Sequence, residues 1–203
     1  KPEIPEEPAQ QETRYTHIQN EGFIPTLMLN YKTPAFSPTS KESAALSLIN
    51  QLAFSERSDL YKKLVVEEQK CLNLWASYYF TSDPYLFSVN ALSRDENVLP
   101  EVKEAIDATI DDLQTNPVDS TLLAQTKSNI KYSFLMSLDD PQNIAETLSY
   151  YIWVTGDPNS MNQYYDTFMN LTAEDVMATA QKYFQPERLT IATISSKEEG
   201  GIQ

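Results

Sequence analysis

The side chains that most often carry protein chemistry are few in this sequence of 203 residues. It contains one histidine, His17, and one cysteine, Cys71, whereas a protein zinc site needs several imidazoles or thiolates. His17 lies in a segment with strand character, and Cys71 begins another such segment. We interpret His17 as a hydrogen-bonded or solvated strand residue and Cys71 as a small buried apolar residue. No metal site is predicted within this chain.

Neighbouring carboxylates are present, but their positions indicate solvated charge. They lie in predicted turns or on polar helix faces, where solvation is the usual state of acidic side chains. The pairs are Glu67/Glu68, Asp111/Asp112 and Asp139/Asp140. A chain with four glycines offers no Gly-rich phosphate loop, and His17 is the single histidine that could activate a serine or cysteine nucleophile. The sequence therefore predicts no catalytic residue.

Charge and hydropathy narrow the classes of partner. The net charge of −14 and the sequence pI near 4.4 give a surface that repels phosphate backbones and anionic lipid. No apolar run approaches the ~20 residues that a membrane-spanning helix needs. We therefore expect neither nucleic acid nor a membrane as partner, while basic ligands are permitted. Hydrophobic residues make up 41% of the chain, enough for a globular core.

The elements that would position these residues are grouped strands and a run of helices. Strands are predicted at residues 14–19 and 24–32, as neighbours joined by Asn20-Glu21-Gly22, at 71–80 and 85–92, as an antiparallel pair, and at 189–194. Helices are predicted after a capping box at Thr39 and Glu42, at 100–116, at 120–137, from Asp140-Pro141 to Gly156, and after a cap at Thr172 and Asp175. This order indicates an α+β fold, a two-layer sandwich in which helices cover one face of a mixed, mostly antiparallel sheet.

The segment 54–80 organises the rest of the chain. An amphipathic helix containing Leu60 and Leu64 leads through a charged turn at 67–70 into the strand 71–80. Period-two alternation puts one set of side chains on the core face of that strand, because successive residues point to opposite faces. This set is Leu72, Leu74, Ala76 and Tyr78. Cys71, Asn73, Trp75, Ser77 and Tyr79 fall on the opposite, mixed face.

The motif Ser58-x-Leu60-Tyr61-x-x-Leu64, followed by Glu67-Glu68 and an alternating strand, resembles the second half of insulinase-like zinc peptidases. That family includes pitrilysin and mitochondrial processing peptidase. The segments 25–34 and 171–176 are similar to its second strand and closing helix, and the resemblance covers roughly residues 7–195. It implies one half of a duplicated fold that encloses a peptide chamber. We expect a linker at 1–11 from a missing upstream half, a single domain at 12–196 and a tail at 197–203.

The resemblance also implies where the family's chemistry lies. Its His-x-x-Glu-His motif is absent here, so zinc and the general base are expected on the missing N-terminal half, with no cofactor in this chain. Many active members carry an Arg and a Tyr in this second half that bind substrate. Alignment on Leu64 and Glu68 places Val65 and Leu72 at those positions. Neither side chain can donate the corresponding hydrogen bonds, and simple core packing is the alternative role for both.

The resemblance implies two functions. In the first, the chain is the non-catalytic C-terminal half of a zinc metallopeptidase, inactive alone, which closes the chamber on its own N-terminal half and holds an extended peptide by strand addition. In the second, it is a degenerate scaffold or partner of an active subunit in a homo- or heterodimer. An unrelated α+β binding module is a third possibility. The aromatic run 150–153 could line a chamber or form core, and we expect the bacterial periplasm or cytoplasm as the compartment.

Overall fold

The computed structural model describes residues 8–136, 138–198 and 202. Its strands are β1 (Arg14–Gln19), β2 (Thr26–Thr33), β3 (Cys71–Tyr78), β4 (Tyr85–Ser93) and β5 (Leu189–Ser195). Its helices are α1 (Lys41–Phe54), α2 (Asp59–Tyr61), α3 (Leu99–Thr115), α4 (Ser120–Met136), α5 (Pro141–Thr155), α6 (Ser160–Met169) and α7 (Ala173–Tyr183). A π-helical turn spans Lys62–Glu67, and 3-10 turns span Glu96–Val98 and Pro186–Arg188. Residues 1–7 of the predicted linker, residue 137 of a predicted helix, and residues 199–201 and 203 of the predicted tail lie outside the described residues.

The five strands form one sheet in the order β1-β5-β2-β4-β3. The β1/β5 pair is parallel and the other pairs are antiparallel, so the predicted mixed, mostly antiparallel sheet is confirmed. The prediction that the first two strands are neighbours was wrong, because β5 lies between them and pairs through Ile194 with both Ile18 and Thr26. The connection at 20–25 is longer than a two-residue hairpin turn, so it does not force adjacent pairing.

The core lies between one face of the sheet and the helices α1, α3 and α7. Every second residue of β2, of β5 and of β4 from Phe87 onward is buried on that face, as expected for a sheet covered on one side. The largest contributors from these strands are Leu27, Leu29, Tyr31, Phe87, Val89, Leu189 and Ile191. From the helices, Leu48, Ile49, Ile106 and Val176 enter the same cluster. The predicted two-layer α+β architecture is confirmed.

The helix caps lie where the sequence predicts them, except that the cap of α1 is shifted by one residue. Helix α7 begins with a complete capping box between Thr172 and Asp175, as predicted. Helix α5 begins after Asp140 and ends at Gly156, whose φ of 75° is a left-handed conformation that glycine adopts without strain. The predicted box at Thr39 was wrong by one residue, because Ser40 caps α1. Glu42 instead contacts α7, where it accepts hydrogen bonds from Lys182 and Tyr183.

Candidate functional site

Backbone irregularities cluster where the chain enters β3. The Glu68 N–H donates to Lys63 O at 2.8 Å, a bond across five residues that defines the π-helical turn. Gln69 follows with φ 51°, a left-handed conformation that few residues other than glycine adopt. Buried Leu60 and Leu64 anchor this turn to the core. Such irregularities cost free energy and concentrate at functional sites, so this turn is a candidate site.

Lys70 fixes the end of the turn to two other elements. Its Nζ lies 2.7 Å from Glu101 Oε2 on α3 and 2.8 Å from Glu68 Oε2. The hydrogen bond to Glu101 is the main reason that the pKa of Lys70 is raised, and the bond to Glu68 adds to the effect. The bond from Lys70 in turn lowers the pKa of Glu68. The Lys70 carbonyl accepts from the Arg94 N–H at 3.1 Å. The start of β3 is therefore held in one position against β4 and α3.

A β-bulge at Leu72 then resets the alternation of β3. Cys71 pairs with Ser93 and Asn73 pairs with Leu92, so Leu72 is the extra residue. Cys71 and Leu74 are consequently both buried, while Leu72 is 41% exposed. The predicted placement of Leu72 on the core face and of Cys71 on the opposite face was wrong. The inserted residue turns both side chains over relative to an uninterrupted strand.

The two predicted substrate-binding positions occupy different environments. Val65 is half-buried and packs against the core cluster, whereas the Leu72 side chain faces solvent. The alternative role of core packing thus fits Val65 and is wrong for Leu72. The π-helical turn and β3 are in contact, so both positions belong to one region at the start of the strand. Neither residue brings a hydrogen-bond donor to it.

Strand β3 lies at one edge of the sheet. In the part of the chain that the structure describes, it pairs with β4 and with no other strand. The N–H of Ser93 bonds to Pro25 O, on the β2 side, and the N–H of Arg94 bonds to Lys70 O, on the β3 side. The main-chain N–H and C=O groups of even-numbered β4 residues therefore point to β3. They pair there with Asn73, Trp75 and Ser77. Leu74, Ala76 and Tyr78 consequently direct their main-chain groups to the open edge.

Exposed aromatic rings flank this edge, and the chain's two tryptophans are among them. Trp75 is 38% exposed on the face of β3 opposite the helices, and Trp153 on α5 is 75% exposed. The Tyr150 and Trp153 rings are 6.3 Å apart, and the Tyr150 hydroxyl donates to Phe80 O at 2.8 Å. Within the aromatic run of α5, Tyr151 is core and Trp153 is not. Helical spacing could have separated these two residues, but it does not show which helix face meets Phe36 and Phe80.

The other candidate residues are structural. His17 Nε2 donates to Lys197 O at 2.9 Å, and His17 Nδ1 accepts from Thr193 Oγ1 at 2.8 Å, so both ring nitrogens are occupied. Burial raises the pKa of the Cys71 thiol to about 11, which keeps it protonated at neutral pH. The acidic pairs are exposed, and Asp140 caps α5. Among residues 8–136, 138–198 and 202, no group of three or more His, Cys, Asp and Glu could hold a metal ion. The donor set present does not fit zinc.

Comparison with known proteins gives consistent matches. The model of the family described as the peptidase M16 inactive domain matches residues 1–130. The zinc protease PqqE of Helicobacter pylori is 24% identical over 197 residues, which cover 91% of this chain and 41% of PqqE. A solved structure of a protease from Helicobacter pylori has a TM-score of 0.85 at 22% identity and covers 96% of this chain and 48% of that chain. A peptidase M16 inactive domain from Pseudomonas fluorescens has a TM-score of 0.77 at 15% identity, with 95% and 46% covered.

These matches confirm the resemblance to the insulinase-like peptidases that the residues indicated. The solved structures show the same fold, and this chain spans less than half the length of each of these relatives. None of the helices within the described ranges is long and apolar enough to cross a bilayer. The family model covers well over half of the sequence. The chain belongs to the family of peptidase M16 inactive domains.

Proposed function

We propose that this domain holds an extended peptide for a zinc metallopeptidase whose zinc and general base lie on a homologous upstream half. The observation that carries this proposal is the edge strand β3, whose Ala76 and Tyr78 main-chain groups point away from β4. An extended peptide satisfies such groups by adding a strand to the sheet. We assign peptide binding and closure of the chamber to this domain, and zinc and the general base to the upstream half.

The residues aligned with the family's Arg and Tyr do not supply a hydrogen-bond donor to the reaction. A donor near a developing oxyanion stabilises the transition state of peptide hydrolysis, and neither Val65 nor Leu72 has one. Leu72, exposed on its bulge, instead places an apolar side chain at the start of β3. We infer that this half acts on substrate binding more than on the chemical step.

The apolar residues at positions 65 and 72 favour a second candidate function. If the upstream half also lacks catalytic groups, the domain serves as a scaffold or partner of an active subunit. Apolar residues at positions 65 and 72 are what such a subunit would tolerate, because it has no transition state to stabilise. The two functions differ in zinc content and in hydrolysis by the full-length product.

The test uses the full-length product of the same gene and the variant Ala76→Pro, which removes an edge-facing N–H and leaves the ladder to β4 intact. We expect bound zinc, peptide hydrolysis, and a loss of about tenfold in kcat/KM in the variant, the upper range for one main-chain hydrogen bond. Tyr15→Pro is the matched control on the opposite edge. There the Asn20 N–H bonds to Ser195 O, so the odd-numbered residues of β1 face outward.

Unchanged kcat/KM in Ala76→Pro would refute peptide binding at β3. Absence of zinc and of hydrolysis in the full-length protein would instead support the scaffold function. Equal losses in Ala76→Pro and Tyr15→Pro would indicate that proline disturbs the sheet as a whole, which also contradicts a specific role for β3.

A further inference from the structure

Two side chains form hydrogen bonds with main-chain groups near the two ends of the open edge of β3. At the start, Asn73 Oδ1 accepts from the Leu74 N–H at 2.9 Å, so this edge-facing donor is already occupied. Beyond the other end, the Tyr150 hydroxyl donates to Phe80 O at 2.8 Å. Residues 74, 76 and 78 share the edge-facing direction by the period of two, and Phe80 lies two residues beyond the end of β3. The two contacts therefore occupy the first edge-facing donor of β3 and a main-chain acceptor just past its last residue.

Between these contacts lies a short window. The N–H and C=O groups of Ala76 and Tyr78 remain between the two occupied positions, and they are spaced for pairing with alternate residues of one added strand. A strand that extended further in either direction would meet the Asn73 amide or the Tyr150 phenol. An incoming peptide thus finds one position in which all of its edge bonds can form.

We propose that Asn73 and Tyr150 are positioning residues that confine peptide pairing to Ala76 and Tyr78 and so set the register of the bound peptide. This inference rests on the proposed function and deepens it. Neither residue touches the reacting atoms; each acts by excluding alternative registers. Because a one-residue slip moves every side chain to the other face, the register decides which peptide side chains meet this half.

The surroundings of the window indicate which peptides fit it. Trp75 and Ser77 lie on the outer face of the sheet beside the window, and Trp75 is 38% exposed. A cross-strand neighbour of an exposed tryptophan is stabilised when it is aromatic or β-branched. The ligand is therefore an extended peptide with a β-branched or aromatic side chain opposite Trp75. The net charge of −14 further favours peptides that carry lysine or arginine.

The experiment uses the 203-residue chain and blocked, lysine-flanked valine–threonine peptides of five and nine residues, with affinity measured by tryptophan fluorescence and calorimetry. In the natural chain we expect equal affinity for both lengths, because the short peptide already fills the window. In Asn73→Ala and Tyr150→Phe, the nine-residue peptide should bind about threefold to tenfold more tightly than the five-residue one, because each variant frees one main-chain group. Trp75→Phe should remove most of the fluorescence change.

Matched controls are Asn129→Ala and Tyr132→Phe, which make the same changes on exposed positions of α4. They should leave the length dependence unchanged. A peptide N-methylated at every residue of the paired segment, which has no N–H to donate along either edge, should lose binding to every variant.

Three outcomes would overturn the inference. If N-methyl-sensitive binding occurs and the length dependence is the same in all variants, the register role is refuted while peptide binding at β3 stands. If the control variants show the same gain, the gain does not come from the edge. If no peptide binds the chain and Ala76→Pro also leaves hydrolysis by the full-length protein unchanged, the proposed function falls together with the register role.

Discussion

Strands β4 and β3 pair from Phe87 to Ser93, yet they have opposite characters. In β4 every second residue from Phe87 onward is buried, and Phe87, Val89 and Ala91 are fully so. In β3 the alternation is broken by a bulge, and the preceding turn contains a π-helical segment and a left-handed residue. The comparison shows that side-chain packing in the core determines the structure of β4, at the centre of the sheet. Main-chain geometry determines the structure of β3, at the edge.

This division separates stability from function. Packing in β4 contributes to the free energy of folding, and a change there affects the whole domain. The irregular backbone at the start of β3 costs free energy, and it determines which side chains and main-chain groups reach the edge. Three pairs of variants test this separation.

The largest expected effect is that of Phe87→Ala. The Phe87 ring lies 5.1 Å from the Phe184 ring and 5.9 Å from the Phe54 ring, with no exposure to solvent. Its truncation should lower the free energy of unfolding by about 3–5 kcal/mol, measured by urea denaturation. Trp75→Ala, on the partner strand, should cost about 1 kcal/mol or less because its ring is partly exposed. Equal costs would contradict the comparison.

A decrease in pH is expected to have an intermediate effect on the thermal stability of the domain. Burial acts to raise the pKa of Glu42, but hydrogen bonds from Lys182 and Tyr183 outweigh it, so the native pKa lies below the ordinary value of 4.5. A carboxyl group with a lowered native pKa contributes stability above its unfolded pKa and loses it as pH falls through the native value. Thermal unfolding should therefore shift to lower temperature as pH decreases below 4.5.

Glu42→Gln should flatten this acid dependence and cost about 1 kcal/mol or less at neutral pH, because solvent screens half-exposed partners. Glu68→Gln is the matched control at the edge of the sheet, where the carboxylate has one side-chain hydrogen-bond partner, Lys70, instead of two. A larger loss of acid dependence in Glu68→Gln than in Glu42→Gln would show that the edge, rather than the α1–α7 contact, governs acid stability.

The smallest expected effect is a gain of stability at the left-handed residue before β3. Gln69→Gly should stabilise the domain by about 0.5–1 kcal/mol, because glycine adopts φ 51° without strain. Gly156→Ala, at φ 75°, should destabilise it by about 1 kcal/mol for the converse reason. Denaturant midpoints measure both changes. A loss of stability in Gln69→Gly would mean that Gln69 makes a contact worth more than the strain.

The sequence predicts the fold well because its core signals are local and repeated. Alternation in β2, β4 and β5, the cap at Thr172 and the glycine at 156 each indicate one structure. The position of β5 between β1 and β2 was missed because it depends on contacts across almost the whole chain. The bulge at Leu72 was missed because a single inserted residue leaves no mark on an apolar alternation.

The sequence indicates where to look for a site, but it does not show which residues act there. The family alignment directs attention to Val65 and Leu72, which adjoin the edge, although their role in binding substrate stays a prediction. Asn73 and Tyr150 carry no signal in the sequence, because the Asn73 contact depends on the backbone of β3 and the Tyr150 contact depends on how α5 packs.

The position of β5 also has a consequence for synthesis of the domain. His17 contacts Thr193, 176 positions later, and β5 joins both β1 and β2 into the sheet. While the chain emerges from the ribosome, β2 can pair with β4 but has no partner on its other side until β5 follows. Such long-range closure slows folding and exposes an unpaired strand meanwhile. The nascent domain therefore passes through a stage in which β2, the later centre of the sheet, is an unpaired edge that favours aggregation.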